Sequence, residues 1–436
     1  MNFYNRENEL KLLHETRLLS EQSARMTFIV GRRRIGKTTL IIKAFEEFPF
    51  IYLFVARKNE PLLCREFTSV IEMSLKKKVH GEFNSFASLF EFLLSESQTN
   101  AFTLIIDEFQ EFYQINPSVF SDMQRLWDQY KAKSKMNLVL SGSVFSLMKK
   151  IFENAKEPLF GRANERIHLK PFTVGILRQI FNDMHPASKN ADLLAFYTIT
   201  GGVAKYVELF ADKKAFTLNR MLNEIFRENS LLMEEGKNLL IEEFGKDYTT
   251  YFSILSLIAS SKTSRSEIES ILGKNIGGYM DRLEKEYQII KSIRPITAKP
   301  GSRNLKYLIE DNFLSFWFRF IYKYRSATEI GNFTYVKQIA ERDFETYSGP
   351  FLEKYFREKL AETNQYSKIG RYWERGNQNE LDIVCIDELN KKITIAEVKR
   401  NKERINLIRL EEKATTLLND FNGYQVQYLA LGLADL

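Results

Sequence analysis

The 436-residue chain carries 63 lysines and arginines against 56 aspartates and glutamates, a formal net charge of +7. Its length exceeds one hydrophobic core, and a hydrophobic content of 44% excludes a disordered chain. Two cysteines, Cys64 and Cys385, exclude a disulfide framework or cysteine-built zinc cluster and suit a reducing, cytoplasmic setting. The start of the chain has no apolar signal core, and no run approaches about 18 apolar residues, so neither a secretory signal nor a membrane partner is expected. The basic balance leaves DNA open as a partner without requiring it.

In chain order, helix periodicity covers residues 7–19, and the apolar run Met26-Thr27-Phe28-Ile29-Val30 reads as a strand. Directly after it comes Gly31-Arg32-Arg33-Arg34-Ile35-Gly36-Lys37-Thr38, a complete G-x-x-x-x-G-K-[ST] phosphate loop between a strand and a helix. Its main-chain N–H groups can wrap a phosphate chain at a helix N-terminus. The loop and Thr39 behind it are therefore expected to bind ATP, with Lys37 on the β- and γ-phosphates and the Thr38 hydroxyl on Mg²⁺.

A helix at 38–47, a strand at 51–55, a helix at 66–76 and strands at 103–106 and 137–140 follow. This alternation predicts a parallel sheet with helices on both faces. The run Thr103-Leu104-Ile105-Ile106 ends in Asp107-Glu108, where the carboxyl end of a buried strand meets the nucleotide. Asp107 is the candidate for the Mg²⁺ shell, and Glu108 for polarising the attacking water. The next strand ends in Ser141-Gly142-Ser143, and Ser141, immediately after it, is the candidate to sense the γ-phosphate or hold the attacking water. Arg162, in Leu159-Phe160-Gly161-Arg162, can reach a γ-phosphate in cis or across a subunit interface; the latter would imply a homo-oligomer.

From about 177 to 240 the pattern is helical, interrupted by Gly201-Gly202. Helices at 248–260, 264–272 and 276–286, then strands at 289–293 and 306–309 around a turn at 300–302, predict a winged helix-turn-helix. Residues 313–320 place Phe316, Trp317 and Phe320 at helical spacing, which favours a buried interdomain helix over a base-stacking platform.

The last third has its own chemistry. Asp382 opens one strand of a predicted hairpin, and Glu397 lies near the end of its partner, with Lys399 on the same strand face. Glu353, on a helix at 351–360, can supply a third acid, and Gln378 or Glu380 can line the site. Two or three carboxylates with a lysine suit Mg²⁺-dependent phosphodiester hydrolysis: the acids hold the metal and the lysine stabilises the charged phosphate. The basic run Lys399-Arg400-Asn401-Lys402-Glu403-Arg404 beside it can grip a backbone.

Two resemblances gather these motifs. Phe3-Tyr4-Asn5-Arg6-Glu7-Asn8-Glu9-Leu10, the phosphate loop, Leu104-Ile105-Ile106-Asp107-Glu108-Phe109-Gln110, Leu140-Ser141-Gly142-Ser143 and Leu159-Phe160-Gly161-Arg162 resemble the archaeal-type ATPase family of the AAA+ and STAND group. That implies an ATPase core with a helical lid and makes Arg162 an arginine finger. The family's lid motif Gly-Gly-x-Pro reads Gly201-Gly202-Val203-Ala204 here. The pattern of Glu353, Asp382, Glu397 and Lys399 is similar to the restriction-endonuclease-like PD-(D/E)xK superfamily. Residues 307–320 and 370–375 resemble the C-terminal domain commonly fused to archaeal-type ATPases.

The expected fold is therefore α/β: a P-loop parallel-sheet ATPase core (1–170), a helical lid (171–245), a winged helix-turn-helix (246–311) and a restriction-endonuclease-like domain (312–436). Two functions stand at this point. One is ATP turnover controlling Mg²⁺-dependent DNA cleavage. The other is a nucleotide-driven switch or scaffold whose C-terminal domain binds DNA or protein without cutting.

Overall fold

The computed structural model describes residues 3–187, 189–244, 248–299, 301–302, 304–374, 376 and 378–436, and Glu242 by its main chain alone. Pro300 of the expected turn, and Arg375 and Asn377 of the expected site segment, lie outside the described residues. The chain forms two compact units, Asn5–Lys170, and Pro171–Leu436 with Met1–Tyr4.

The first unit is built on β1 (Arg25–Val30), β2 (Phe50–Phe54), β3 (Phe102–Asp107), β4 (Met136–Ser141) and β5 (Glu165–His168), in the all-parallel order β2-β3-β4-β1-β5. Every residue of β3 and β4 is buried, as expected of central parallel strands covered on both faces. The strand β5 was not among those expected. It lies at the sheet edge, reads Glu-Arg-Ile-His, and buries only Ile167, so it carries no apolar run. Helices Glu60–Leu75 and Phe86–Glu96 start at Asn59 and Ser85, whose side chains accept from the N–H groups of Leu62 and Ser88.

The second unit opens with helices, among them Val174–Met184, Asn190–Thr200, Ala204–Asp212 and Leu231–Phe244. Gly201 and Gly202 turn the chain between the second and third of these at φ 57° and 74°; a Cβ on Gly202 would lie 2.4 Å from the Phe172 carbonyl oxygen. Helices Tyr248–Ala259, Arg265–Leu272 and Gly277–Asp281 follow. The last runs on through a wide turn, Arg282–Glu286, to the antiparallel pair β6 (Ile290–Ile293) and β7 (Lys306–Ile309). Then comes the long helix Phe333–Glu362, which runs through Pro350. The chain ends on a sheet ordered β11-β10-β9-β8, from β8 (Lys368–Tyr372), β9 (Leu381–Asp387), β10 (Lys392–Val398) and β11 (Gln425–Leu431). Only the β10–β11 pair is parallel, and helix Leu407–Leu418 packs Leu410, Ala414 and Leu417 into the sheet's core.

Residues 313–320 are interior: Phe313, Phe316, Phe318 and Phe320 are all fully buried, and the Trp317 indole donates to the Met233 carbonyl oxygen at 2.8 Å. No ring of this segment is open to stack a base. Gly236, in helix Leu231–Phe244, lies under that indole so closely that a Cβ would approach it to 2.3 Å. Gly236→Ala is therefore expected to destabilise the second unit by about 1–3 kcal/mol through overpacking, despite alanine's better helix propensity. Urea unfolding followed by tryptophan fluorescence measures this.

Candidate functional sites

The phosphate loop leaves the carboxyl end of β1 and enters helix Lys37–Phe45. It turns through positive φ at Arg34 (71°) and Gly36 (93°). Gly31 is fixed by crowding, since a Cβ there would stand 2.8 Å from the Leu169 carbonyl oxygen. Ile35 anchors the loop in the core. The buried Lys37 ammonium turns inward and donates to the carbonyl oxygens of Gly31 at 2.8 Å and Arg32 at 3.2 Å. A cation thus sits inside the ring of main chain where phosphate oxygens would be bound, and the residues fit a nucleoside triphosphate. Thr38 and Thr39 open the helix with exposed side chains.

The Asp107 carboxylate is buried at the end of β3 and accepts from every side. Thr38 Oγ1 at 2.9 Å and Tyr52 OH at 2.7 Å donate to its Oδ2; the Glu108 N–H at 2.9 Å and the Ser141 hydroxyl donate to its Oδ1. Burial and the neighbouring Asp107 push the Tyr52 phenol far above its ordinary pKa, so it remains a donor. Thr38 and Asp107 present adjacent hard oxygen donors, a set that fits Mg²⁺. Ser141, the expected phosphate sensor, is fully buried and engaged with Asp107, so its hydroxyl is not directed at a phosphate. The serine two residues on faces the site instead. Ser143 Oγ donates to Glu108 Oε2 at 2.6 Å and accepts from Arg33 Nε at 3.3 Å. Gln110 Nε2 also donates to Glu108 Oε2 at 2.6 Å. Glu108 itself is held at φ 54°.

Arg162 lies elsewhere. It precedes Glu165 of β5 by three residues, and Glu165 pairs with Thr27 of β1, which puts Arg162 level with Ala24 at the amino end of the sheet. It lines a cleft with Ala24 and Arg25 and donates to Asp128 at 3.2 Å and the Phe160 carbonyl oxygen at 2.9 Å. The phosphate loop begins at the other end of β1, about 20 Å away along the strand. That excludes the cis role: an arginine side chain does not span the sheet.

In the C-terminal sheet, β9 and β10 pair with Ala396 opposite Ile383, so the next residues, Glu397 and Asp382, face each other. Asp382 Oδ2 accepts from the Val398 N–H at 2.8 Å. Burial first, then the charge of Glu353, push the Asp382 carboxyl up to about 7 against that hydrogen bond. Glu397 is bracketed by Lys399 at 3.2 Å and by Lys413, from helix Leu407–Leu418, at 3.0 Å. Burial opposes its charge, but the two lysines hold its pKa below the ordinary glutamate value.

Glu353 departs from expectation. Its carboxylate pairs with Arg371 and lies 3.5 Å from Arg357, and Arg357 also donates to the Asp382 carbonyl oxygen at 3.1 Å. Burial, and then the charge of Arg371, push the Arg357 guanidinium down to about 10. The expected metal shell of Glu353, Asp382 and Glu397 is not assembled: among the described residues, no group of three or more His, Cys, Asp or Glu side chains is set to hold a metal. Two arginines already neutralise Glu353. Asp382 and Glu397 alone remain a facing pair. Glu380 is taken by Lys306 at 3.2 Å, and the Gln378 carbonyl accepts from the Glu374 N–H at 2.9 Å.

The basic run beside the site is largely spent within the fold. Lys399 reaches the Arg404 carbonyl oxygen at 3.3 Å, Arg400 reaches Ser348 at 2.8 Å and Lys402 pairs with Asp435 at 2.7 Å. The third helix of the expected winged unit is also no basic reader. Residues 277–286 hold three acids against two bases. Lys285 pairs with Asp281 at 2.9 Å, and Arg282 reaches Tyr251 OH at 3.5 Å.

A family model described as an ATPase domain predominantly from Archaea matches residues 3–210. The uncharacterized protein MJECL04 of Methanocaldococcus jannaschii is 31% identical over 407 residues, covering 91% of this chain and 87% of that one. The chain belongs to the archaeal ATPase family. A second model, of archaeal and bacterial proteins of unknown function, matches residues 317–415 of this archaeal ATPase. The Walker-type ATPase PABY2304 of Pyrococcus abyssi has the same fold over 73% of this chain and 96% of its own, with a TM-score of 0.54 at 19% identity. Among the described residues no helix is long and apolar enough to cross a membrane.

Sequence reasoning did not single out Tyr52, Arg371 or Lys413, and it placed Gln110 in a motif without a role. Tyr52, Arg371 and Lys413 reach their sites from other elements, so no local spacing marks them, whereas Gln110 lies two residues after the Glu108 it holds. The pH response follows from Asp382. Its pKa is about 7 folded against an ordinary value of 3.8, so between these limits the folded chain binds the extra proton. Stability contributed by this group is full below pH 3.8 and lost as pH rises through about 7. Asp382→Asn should therefore flatten the fall in stability over that window and raise stability at pH 8 by on the order of 3 kcal/mol. Chemical denaturation of both proteins at pH 5 and pH 8 measures it.

Proposed function

We propose that this archaeal ATPase uses ATP binding and hydrolysis to control a C-terminal domain of restriction-endonuclease-like type that cleaves DNA with Mg²⁺. In the first site, residues 31–39 wrap the triphosphate, and Lys37 leaves its carbonyl partners for the phosphates. Thr38 and Asp107 hold Mg²⁺, which supplies charge neutralisation there. Tyr52 and Ser141 act as positioning residues that hold Asp107 in place, and would continue to do so with the Thr38 hydroxyl on a metal. Glu108 polarises the attacking water after release from Ser143 and Gln110. Arg162 serves the nucleotide of a second copy, which makes the active form a homo-oligomer.

The observation that carries the nuclease reading is the pair Asp382 and Glu397, facing each other across β9 and β10 with Lys399 alongside. No cation pairs with Asp382 among the described residues, so it is the carboxylate open to a hard divalent ion, with Glu397 opposite it held by Lys399 and Lys413. Mg²⁺ there would supply Lewis-acid stabilisation of the phosphate. Lys399 and Lys413 are placed to hold phosphate oxygens. The winged unit, helices Tyr248–Ala259 to Gly277–Asp281 with β6 and β7, is proposed as the linker, with DNA contact assigned to the C-terminal domain. The second reading, a switch that binds DNA without cutting, is favoured by the pairing of Glu353 with Arg371 and Arg357. That pairing removes one acid from metal binding.

Plasmid DNA incubated with the full chain, ATP and Mg²⁺ or Mn²⁺ separates the two. Nicking that Asp382→Ala abolishes supports cleavage; retained plasmid binding with intact DNA under every metal and nucleotide condition establishes the second reading. ATP turnover is expected to fall at least about 100-fold in Lys37→Ala; unchanged turnover refutes the first site. Mixing tests Arg162. Arg162→Ala and Lys37→Ala proteins, each inactive alone, are expected to recover activity together, because one lends its loop and the other its arginine. No recovery, or Arg162→Ala turnover equal to wild type, removes Arg162 from catalysis.

A further inference from the structure

One helix of the second unit contacts both the lid helices and the C-terminal carboxylates. In the last turns of Phe333–Glu362, Glu353 and Arg357 face the carboxylate cluster. Glu358 and Glu362 sit about 140° around the same helix. Their partners are lid residues. Glu358 Oε2 accepts from Tyr197 OH at 2.7 Å, and Tyr197 is 2% exposed. Glu362 accepts from the Val174 N–H at 2.8 Å and the Gly175 N–H at 3.2 Å, so it caps the first lid helix from outside its own chain segment.

Asn312 donates to the Tyr197 carbonyl oxygen at 2.9 Å and accepts from Lys354 at 2.8 Å. Tyr355 packs its ring edge-on against that of Tyr197 at 5.2 Å. Asn190, opening the second lid helix, donates to the Leu433 carbonyl oxygen at 2.7 Å near the end of the chain. The buried bond from Asn312 to the Tyr197 carbonyl oxygen costs more to break than a surface contact, because both partners would be left unsatisfied, while Glu362 holds its helix end at the surface. The lid helices are thus tied to residues 354–362 of the long helix and its neighbour Asn312 at several points. The chain passes between the units at only two places, after Tyr4 and after Lys170.

We propose that displacement of residues 171–245 in response to nucleotide is carried along the long helix to the C-terminal site. The long helix is the strut, and Glu358 and Glu362 are the positioning residues that pass lid displacement to Glu353 and Arg357. This rests on the proposed lid and C-terminal site and names how the second is regulated: nucleotide changes the Glu353–Arg371–Arg357 pairing rather than adding a catalytic group.

Hydrogen–deuterium exchange on the full chain, with and without a non-hydrolysable ATP analogue and Mg²⁺, tests it. In the wild type, exchange is expected to change by about fivefold or more, the lower end of usual site-to-site coupling, in 174–200 and also in 350–362 and 381–398. In Tyr197→Phe, which keeps the ring packing, and in Glu358→Gln, the lid response should persist while the distant response is lost. A wild-type response confined to the lid overturns the proposal, as does a full distant response in both variants. DNA cleavage by the same samples keeps the two readings apart. A transmitted response without cleavage sinks the nuclease and leaves the strut standing, whereas ATP-stimulated cleavage without a transmitted response sinks the strut alone.

Discussion

The buried carboxylate of Asp107 is the constraint around which the first unit is arranged. The strand order β2-β3-β4-β1-β5 sets the chain on either side of it. From β2 comes Tyr52, from β4 Ser141, and from the helix after β1 Thr38, so three hydroxyls meet one acid. A buried carboxylate left without donors would cost several kcal/mol. Here each donor comes from a rigid element, and the acid is pre-aimed. The same geometry explains why two serines two residues apart do different work. Ser141 ends the strand and points at Asp107. Ser143, after Gly142, reaches Glu108. Gly142 permits this because a Cβ there would lie 2.1 Å from the Gln110 side-chain oxygen.

The C-terminal cluster solves the opposite problem. Glu353, Asp382 and Glu397 are gathered at one end of the sheet, and four cations, Arg357, Arg371, Lys399 and Lys413, surround them. Glu353 and Glu397 are compensated within the chain. Among the described residues no cation pairs with Asp382, and burial, then the charge of Glu353, raises its pKa. A site so balanced is stable as it stands and is altered by changing which charges touch. The long helix can do this because it carries Glu353 and Arg357 on one side and its lid contacts on another.

Much of the first unit was legible because its signals are local. Continuous apolar runs mark β1, β3 and β4, and the glycines and lysine of the loop sit at fixed offsets from β1. The edge strand β5 was not legible, since one buried residue in four leaves no pattern. Asp382 and Glu397 were legible as a facing pair because a hairpin's register follows from its turn. Glu353 was legible as an acid on a helix, but the arginines that take it come from the same helix and from β8, and only packing reveals them. The expected winged unit has the helix and strand succession read from periodicity, while the acidity of its third helix argues against the groove-reading role that succession invites.

The sequence alone determined the nucleotide-binding loop and the acids after β3, because these depend on main-chain geometry and on residues adjacent in the chain. It also determined that a second group of acids with a lysine lies in the last third. The tertiary structure decided which serine faces Glu108, that Arg162 stands at the far end of the sheet from the loop of its own chain, and that Glu353 is held by arginines. Those outcomes depend on strand order and on charges brought together from distant segments. Side-chain electrostatics acts through space, and spacing along the chain does not encode it.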